Sequence, residues 1–197
     1  PIEIGGFVVH GYDADIPQNK IGIRVPAGMA FGSGEHATTE ACLRLYEKWM
    51  PAIKPKNGLD MGAGSGILAI GAAKRDGIKF LAVDIDAPSV KICAENTQAN
   101  ETHLLVESIH GDGFDTDAVT HRAPFDLIFA NILKNPLIAM AEELTHVLAE
   151  EGVAILSGFT EEQQGEVIAA YEACGLKSVD RLSLRDWVGV VVQKPQS

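Results

Sequence analysis

The chain is 197 residues long, 46% hydrophobic and 22% charged, with a formal net charge of −11. These values fit one ordinary globular domain with its own core and exclude a disordered chain; the acid excess argues against gripping a phosphate backbone, which needs Lys and Arg to displace counterions. Three cysteines (Cys42, Cys93 and Cys174) without a C-x-x-C pair read as free thiols of a reducing cytoplasm, not as a disulfide framework or a zinc site, and no apolar run approaches the roughly 18 residues of a membrane span.

Two strand-like pieces come first, 7–9 and 21–25, joined by a polar turn around Asp13, Asp15, Pro17 and Asn19. His10 reads as a surface residue. The stretch Pro26-Ala27-Gly28-Met29-Ala30-Phe31-Gly32-Ser33-Gly34-Glu35-His36-Ala37-Thr38-Thr39 is a loop of small residues that approaches something closely. Thr38 or Thr39 can cap the helix that follows through Leu43, Tyr46 and Trp49, which stops at Pro51. His36 reads as a residue that holds the loop through a hydrogen bond.

A short apolar run then ends at Asp60, followed by Gly62-Ala63-Gly64-Ser65-Gly66 and a small apolar segment beginning at Ile67. This is strand, tight turn, helix, with glycines where a ligand comes close to the backbone. The helix ends at Gly77. A second strand over 80–84 ends in Asp84, and a helix with Pro88 in its first turn reaches Asn100. Asp86 is the better placed residue to cap it. Further strands are expected at 104–109, ahead of Asp112-Gly113, and at 125–130, ahead of Asn131. A helix over 136–148, a strand over 152–157 ended by Gly158, and a helix over 161–174 stopped by Gly175 follow. Two strands, 178–184 and 187–193, separated only by Arg185 and Asp186, form an antiparallel hairpin at the sheet edge.

Strands alternating with helices, most of them continuously apolar, predict an α/β fold with a mostly parallel seven-stranded sheet and helices on both faces. Residues 1–37 form N-terminal strands and a glycine-rich lead-in, and 38–197 the main domain. Ligands of such sheets bind beyond the carboxyl ends of the strands, where strand order reverses. The Gly62-Gly64-Gly66 turn, Asp84, Asp112 and Asn131 all fall at such ends. A dinucleotide fingerprint wants a third glycine where Ile67 stands, so pyrophosphate is disfavoured. Asp84 lies 22 residues after Gly62, the spacing of a carboxylate that grips ribose hydroxyls. Asp112 also reads as a turn-forming Asp-Gly.

Strand–Asp–x–Gly–x–Gly–x–Gly followed by strand–Asp resembles the cofactor signature of class I, Rossmann-like methyltransferases that use S-adenosylmethionine. The resemblance implies that Gly62, Gly64 and Gly66 touch the methionine part of the cofactor, Asp84 its ribose and Asp112 its adenine. The loop ending His36-Ala37-Thr38-Thr39, together with Asn131-Ile132-Leu133, Leu156-Ser157-Gly158 and Trp187, is similar to the catalytic domain of the ribosomal protein L11 methyltransferase family. That similarity extends from about Phe7 to Val192. It implies cofactor contacts from Thr39 and Asn131 as well, and a basic large-subunit ribosomal protein as methyl acceptor, with no direct nucleic-acid binding. Glu35 and Lys134 depart from the family pattern, and a cation at 134 beside the site would repel a protonated amine unless it points outward. The family carries an N-terminal recognition domain that the residues before Phe7 do not form, so the chain is expected to be the catalytic part of a longer enzyme, the alternative being a short relative with another substrate. Asn131 and Ile132 are the expected catalytic pair. The Asn131 side-chain oxygen and the Ile132 carbonyl would accept hydrogen bonds from an amine that becomes cationic as it attacks. Asn131 can otherwise end its strand and cap the next helix, although Asn135 could do that.

Overall fold

A computed structural model describes residues 1–11, 14–26 and 33–197, the side chains of 33–35 excepted. The expected turn residue Asp13, most of the loop from Ala27 to Phe31 and Gly32, and the Glu35 side chain lie outside the described residues.

Among the described residues, ten strands form two sheets, accompanied by seven α-helices. The small sheet holds β1 (Ile2–Ile4), β2 (Phe7–His10) and β3 (Ile21–Arg24). The expected polar turn does not close a hairpin, because β2 and β3 run parallel, with Phe7 opposite Ile21. The large sheet is built from β4 (Asn57–Met61), β5 (Lys79–Asp84), β6 (Val106–His110), β7 (Phe125–Asn131), β8 (Leu148–Thr160), β9 (Lys177–Leu184) and β10 (Trp187–Gln193). Its order is β6-β5-β4-β7-β8-β10-β9. The first five are mutually parallel, and β10 inserts antiparallel between β8 and β9. The chain therefore moves outward from β4 in one direction, then returns to β7 and moves outward in the other. The switch point lies between β4 and β7, where the sequence placed the glycine turn and Asn131. Arg185 and Asp186 both take positive φ, 48° and 70°, in the two-residue connection that the twist of a hairpin favours.

The helices are α1 (Ser33–Ile53), α2 (Ile67–Asp76), α3 (Ala87–Ala99), α4 (Asp117–Arg122), α5 (Lys134–Ala139), α6 (Ala141–Val147) and α7 (Gln164–Ala173). Alternate strand residues divide the core. Phe80, Leu127, Phe129 and Ile155 pack with α1 and α2, and with Phe7 and Ile23 of the small sheet beyond them. Leu81, Ile128, Ala154 and Val190 pack on the other face with Leu137, Leu144 and Tyr171 of α5, α6 and α7. Phe129 is central to the first face, with its ring centroid 5.8 Å from both Phe80 and Tyr46.

Several local expectations are corrected. Thr38 and Thr39 do not cap α1; the helix begins at Ser33 and both lie inside it, buried. Pro51 does not end it. A proline in the last turn removes one ladder bond, and the chain leaves the helix at Lys54, which is left-handed with φ 48°. The single helix over 136–148 is two, broken at Met140, and Leu133 occupies the cap of the first, so neither Asn131 nor Asn135 is a cap. Gly158 does not end its strand: β8 runs on to Thr160. Strand β1 and helix α4 were not anticipated. A three-residue strand and a six-residue helix carry too short a period to register in sequence.

Truncation of Phe129 to Ala empties the most enclosed part of the first face. It should cost about 3–5 kcal/mol in urea denaturation, with the m-value unchanged.

Candidate functional site

The strand after the glycine turn and the turn itself are welded together. Gly62, Gly64 and Gly66 all take positive φ, at 73°, 56° and 83°, which other residues adopt only with strain. Their amides are spent inside the protein. Gly62 and Ala63 both donate to the Val83 carbonyl, at 2.8 and 3.0 Å, and Gly66 donates to Ala63 at 2.9 Å. Gly64 donates to Asp84 Oδ2 at 2.8 Å. A phosphate cradle needs free amides aimed at the ligand, and four amides of this turn are already committed. The sequence-based rejection of a pyrophosphate site therefore has a second, structural reason.

Asp84 ends β5. Its second oxygen accepts the Asp86 amide at 2.9 Å. Asp86, as expected, caps α3 by accepting from Ser89 at 3.1 Å. Each Asp84 oxygen thus holds one backbone donor and keeps a further lone pair for a ligand hydroxyl.

Gly62, Asp84, Asp112 and Ile132 share one cleft of about 500 Å³, whose other walls include Val83, Ile85, Gly113, Leu133, Pro136 and Met140. It is apolar apart from the two carboxylates. Asp112 makes no side-chain capping bond to the 3₁₀ turn that follows, and its carbonyl alone accepts from Asp115. Asp112 is exposed, and its backbone, not its side chain, serves the turn. Ile85, Pro136 and Met140 were missed. Only the exposed apolar Ile85, directly after Asp84, carried a local signal.

Gly64, Gly66, Thr39 and Asn131 are not walls of this cleft. Gly64 has open space where a Cβ would stand, whereas a Cβ at Gly66 would meet Cys93 Sγ at 2.6 Å. Gly66 therefore serves close packing of the turn on α3. Asn131 and Thr39 are placed by alternation. Along β7, Leu127 and Phe129 face α1, so Asn131 does too, and its register partner on β8 is Ser157. On α1, Thr38 and Thr39 precede Cys42 by four and three residues and share its face. The Asn131 carboxamide makes no hydrogen bond among the described residues. Ile132 turns to the opposite face. Its amide donates to the Ser157 carbonyl at 3.1 Å, and its own carbonyl lies where a Cβ of Gly158 would be, 2.1 Å away. Gly158, with φ 102°, lets the Ile132 carbonyl pack against its backbone, where a side chain would collide.

Lys134 points away from the cleft and pairs with Glu166 of α7 at 3.2 Å, which removes the repulsion its position suggested. His36 lies in α1, 3.6 Å from Glu40 one turn on. His10 is half-buried at the end of β2, with Nδ1 2.7 Å from the Gly11 carbonyl.

Asp60 had no role assigned from sequence beyond its place in the signature. It is buried under the turn, on the α1 and α2 side of β4, and accepts the Ala69 amide at 3.2 Å. Burial pushes its carboxyl up to about 7, the Ala69 bond opposes this, and the Asp84 charge adds to it. Burial also raises the neighbouring Cys42 thiol, and the Asp60 charge adds to that rise.

A family profile described as ribosomal protein L11 methyltransferase (PrmA) matches residues 1–195. A ribosomal protein L11 methyltransferase from Caulobacter sp. (strain K31) is 41% identical over 197 residues, which is 99% of this chain and 68% of that protein. The crystal structure of a ribosomal protein L11 methylase from Lactobacillus delbrueckii subsp. bulgaricus superposes with a TM-score of 0.81 at 28% identity, covering 98% of this chain and 96% of that one. An RNA methyltransferase from Salinibacter ruber, solved with S-adenosyl-L-homocysteine, shares the fold at 16% identity and a TM-score of 0.61, over 78% of this chain and 92% of that one. The chain spans about two thirds of the length of the curated relatives it matches.

Because the folded-state Asp60 carboxyl titrates above its unfolded value near 3.9, its contribution to stability is full below about pH 4 and is lost as pH rises towards about 7. Asp60→Asn escapes this loss. Its denaturation free energy relative to the parent should climb between about pH 4 and 7 and level off above; a difference that stays flat across that window would refute the assignment.

Proposed function

The chain belongs to the ribosomal protein L11 methyltransferase (PrmA) family, and from that premise we propose that it is the catalytic part of an S-adenosylmethionine-dependent N-methyltransferase acting on amines of that ribosomal protein. The observation that carries the reading is the convergence at one switch point of three features. They are a glycine turn tied to the Asp84 carboxylate, an apolar cleft holding Asp84 and Asp112, and an uncommitted Asn131 carboxamide one strand away.

The residues fit the cofactor on their own chemistry. Asp84 keeps acceptor capacity for two ribose hydroxyls. Asp112 and the backbone beside Gly113 offer polar edges to a base, and Ile85, Leu133, Pro136 and Met140 offer it apolar faces. Gly62 and Gly64 bring backbone close without side chains, and Thr39, buried in α1, is the contact proposed from that helix. The bound cofactor supplies a methyl group already activated on a sulfonium, so the protein's task is to position and to stabilise charge.

Asn131 and Ile132 carry that task. The Asn131 oxygen accepts a hydrogen bond from the attacking amine, and the Ile132 carbonyl accepts a second. Both dipoles oppose the positive charge that grows on nitrogen. A neutral amide forms no stable ion pair with an ammonium, so a protonated amine is not trapped there. With Lys134 committed to Glu166, no described cation lines the cleft. A basic protein is the acceptor that suits a chain of net charge −11, which disfavours direct contact with nucleic acid. No described helix is long and apolar enough to cross a membrane, and the chain acts in the cytoplasm, where its acceptor is made. Residues 1–37 are a lead-in to the catalytic part, 38–197. The division is one of role, since α1 spans both.

Calorimetry with S-adenosylhomocysteine should give saturable binding that weakens at least a hundredfold in Asp84→Ala. Asn131→Ala should keep that affinity within a few-fold while methyl transfer slows by on the order of a hundredfold. Methyl transfer is read as mass added to the ribosomal protein by the full-length enzyme. Tight cofactor binding with unmodified acceptor would favour a non-catalytic scaffold or another acceptor.

A further inference from the structure

One face of α3 meets the glycine turn through Cys93 and Asn96, with Asn100 at the end of the same face, and none of the three lines the cleft. Cys93, Asn96 and Asn100 stand at spacings of three and four, so they share that face. Cys93 packs on Gly66. Asn96, 2% exposed, donates from Nδ2 to the Ser65 carbonyl at 2.9 Å, in the middle of the turn. Asn100, 3% exposed, donates to the Asn96 carbonyl at 2.8 Å. It also pairs with the backbone of Arg24 in both directions, accepting its amide at 2.8 Å and donating to its carbonyl at 2.8 Å. A carboxamide used this way imitates a strand neighbour at the end of β3. The sequence runs on from there into the second glycine-rich stretch.

We propose that Asn96 is a positioning residue for the cofactor, which holds the glycine turn in its binding shape, and that Asn100 extends the same constraint to the end of β3. The inference rests on the proposed reading that the backbone at Gly62 and Gly64 approaches the cofactor. Ser65 lies between Gly64 and Gly66, two positions of positive φ with little intrinsic preference for one conformation. The turn's inner amides are bonded to β5, but its outward Ser65 carbonyl has a single described donor, Asn96. Loss of that donor leaves a carbonyl unpaired beside a flexible backbone. The cost falls on the conformation that the ligand requires. Asparagines that served only as satisfied core polar groups would cost stability on removal without costing affinity.

The full chain is titrated with S-adenosylhomocysteine well below its denaturation midpoint. Asn96→Ala should raise Kd about tenfold, and Asn100→Ala about threefold. Trp49→Phe serves as a control, because it removes the Trp49–Asp180 bond far from the turn. It should lower the denaturation midpoint and leave Kd within twofold. Asn96→Asp keeps the shape and loses the donor when ionised, then regains an O–H donor on protonation. Its Kd relative to the parent at the same pH should therefore shrink as pH falls from 8.5 to 6, with any common titration of Asp60 cancelling in the ratio. If Asn96→Ala fails to fold, this ratio decides. A folded Asn96→Ala with parental Kd, or an Asn96→Asp ratio that does not change with pH, overturns the inference and leaves the proposed function intact. A parent chain that binds no S-adenosylhomocysteine overturns both.

Discussion

The hydrogen bond from the Gly64 amide to the Asp84 carboxylate is the constraint on which the site depends. It joins the loop after one strand to the end of the next, and it does so with a charged acceptor, so it is stronger than an ordinary amide bond. The parallel pairing of β4 with β5 brings Met61 opposite Val83. That register places Gly62 and Ala63 over the Val83 carbonyl and leaves Gly64 facing the next side chain along, Asp84. Once the turn is fixed there, α2 starts at Gly66 and α3 starts at Asp86, and the two helices are held at the heights where Ala69 meets Asp60 and Cys93 meets Gly66. A one-residue slip between β4 and β5 would break all of these contacts at once.

The same edge is divided by the alternation of side chains. Ile132 belongs to the cleft that holds Asp84 and Asp112, while Asn131, Asp60 and Thr39 belong to the α1 side. A ligand that touches both groups must pass over the strand edge, and it can do so only where the backbone carries no side chain. The open space at the Gly64 Cβ position is such a place. The glycines are therefore not interchangeable: Gly64 borders open space, Gly66 leaves room for Cys93 of α3, and Gly158 leaves room for the Ile132 carbonyl.

How much of this was legible depends on the range of the interaction that decides each feature. Strands such as 80–84 and 125–130 show as buried apolar runs, and the Asp84 spacing reports a βαβ unit of ordinary length, so the sheet and the place of Asp84 at its edge were readable. The start of α1 was not. Thr38 and Thr39 have the chemistry of caps, and only tertiary burial makes them interior residues. The break at Met140 and the extension of β8 past Gly158 are set by packing on α7 and by pairing with β10, neither of which leaves a local pattern. In sequence Asn96 carried no signal, and Asn100 only marked the end of a helix. Their partners, Ser65 and Arg24, are 31 and 76 residues away, and nothing short of the fold brings them together.

The electrostatics of the edge narrow what the cleft can hold. Asp84 and Asp112 line it and Asp60 lies buried behind it, while no Lys or Arg stands among its described walls. The nearest candidate, Lys134, is drawn off to Glu166. A pyrophosphate would meet two carboxylates, a turn whose amides are already bonded, and no counter-charge. A ligand with ribose hydroxyls and positive charge meets acceptors for the first and attraction for the second. Burial makes an ionised Asp60 costly in the free protein, and a cation nearby lowers that cost. The edge is thus built to be completed by positive charge, which is what a sulfonium cofactor and an amine in the act of methylation both bring.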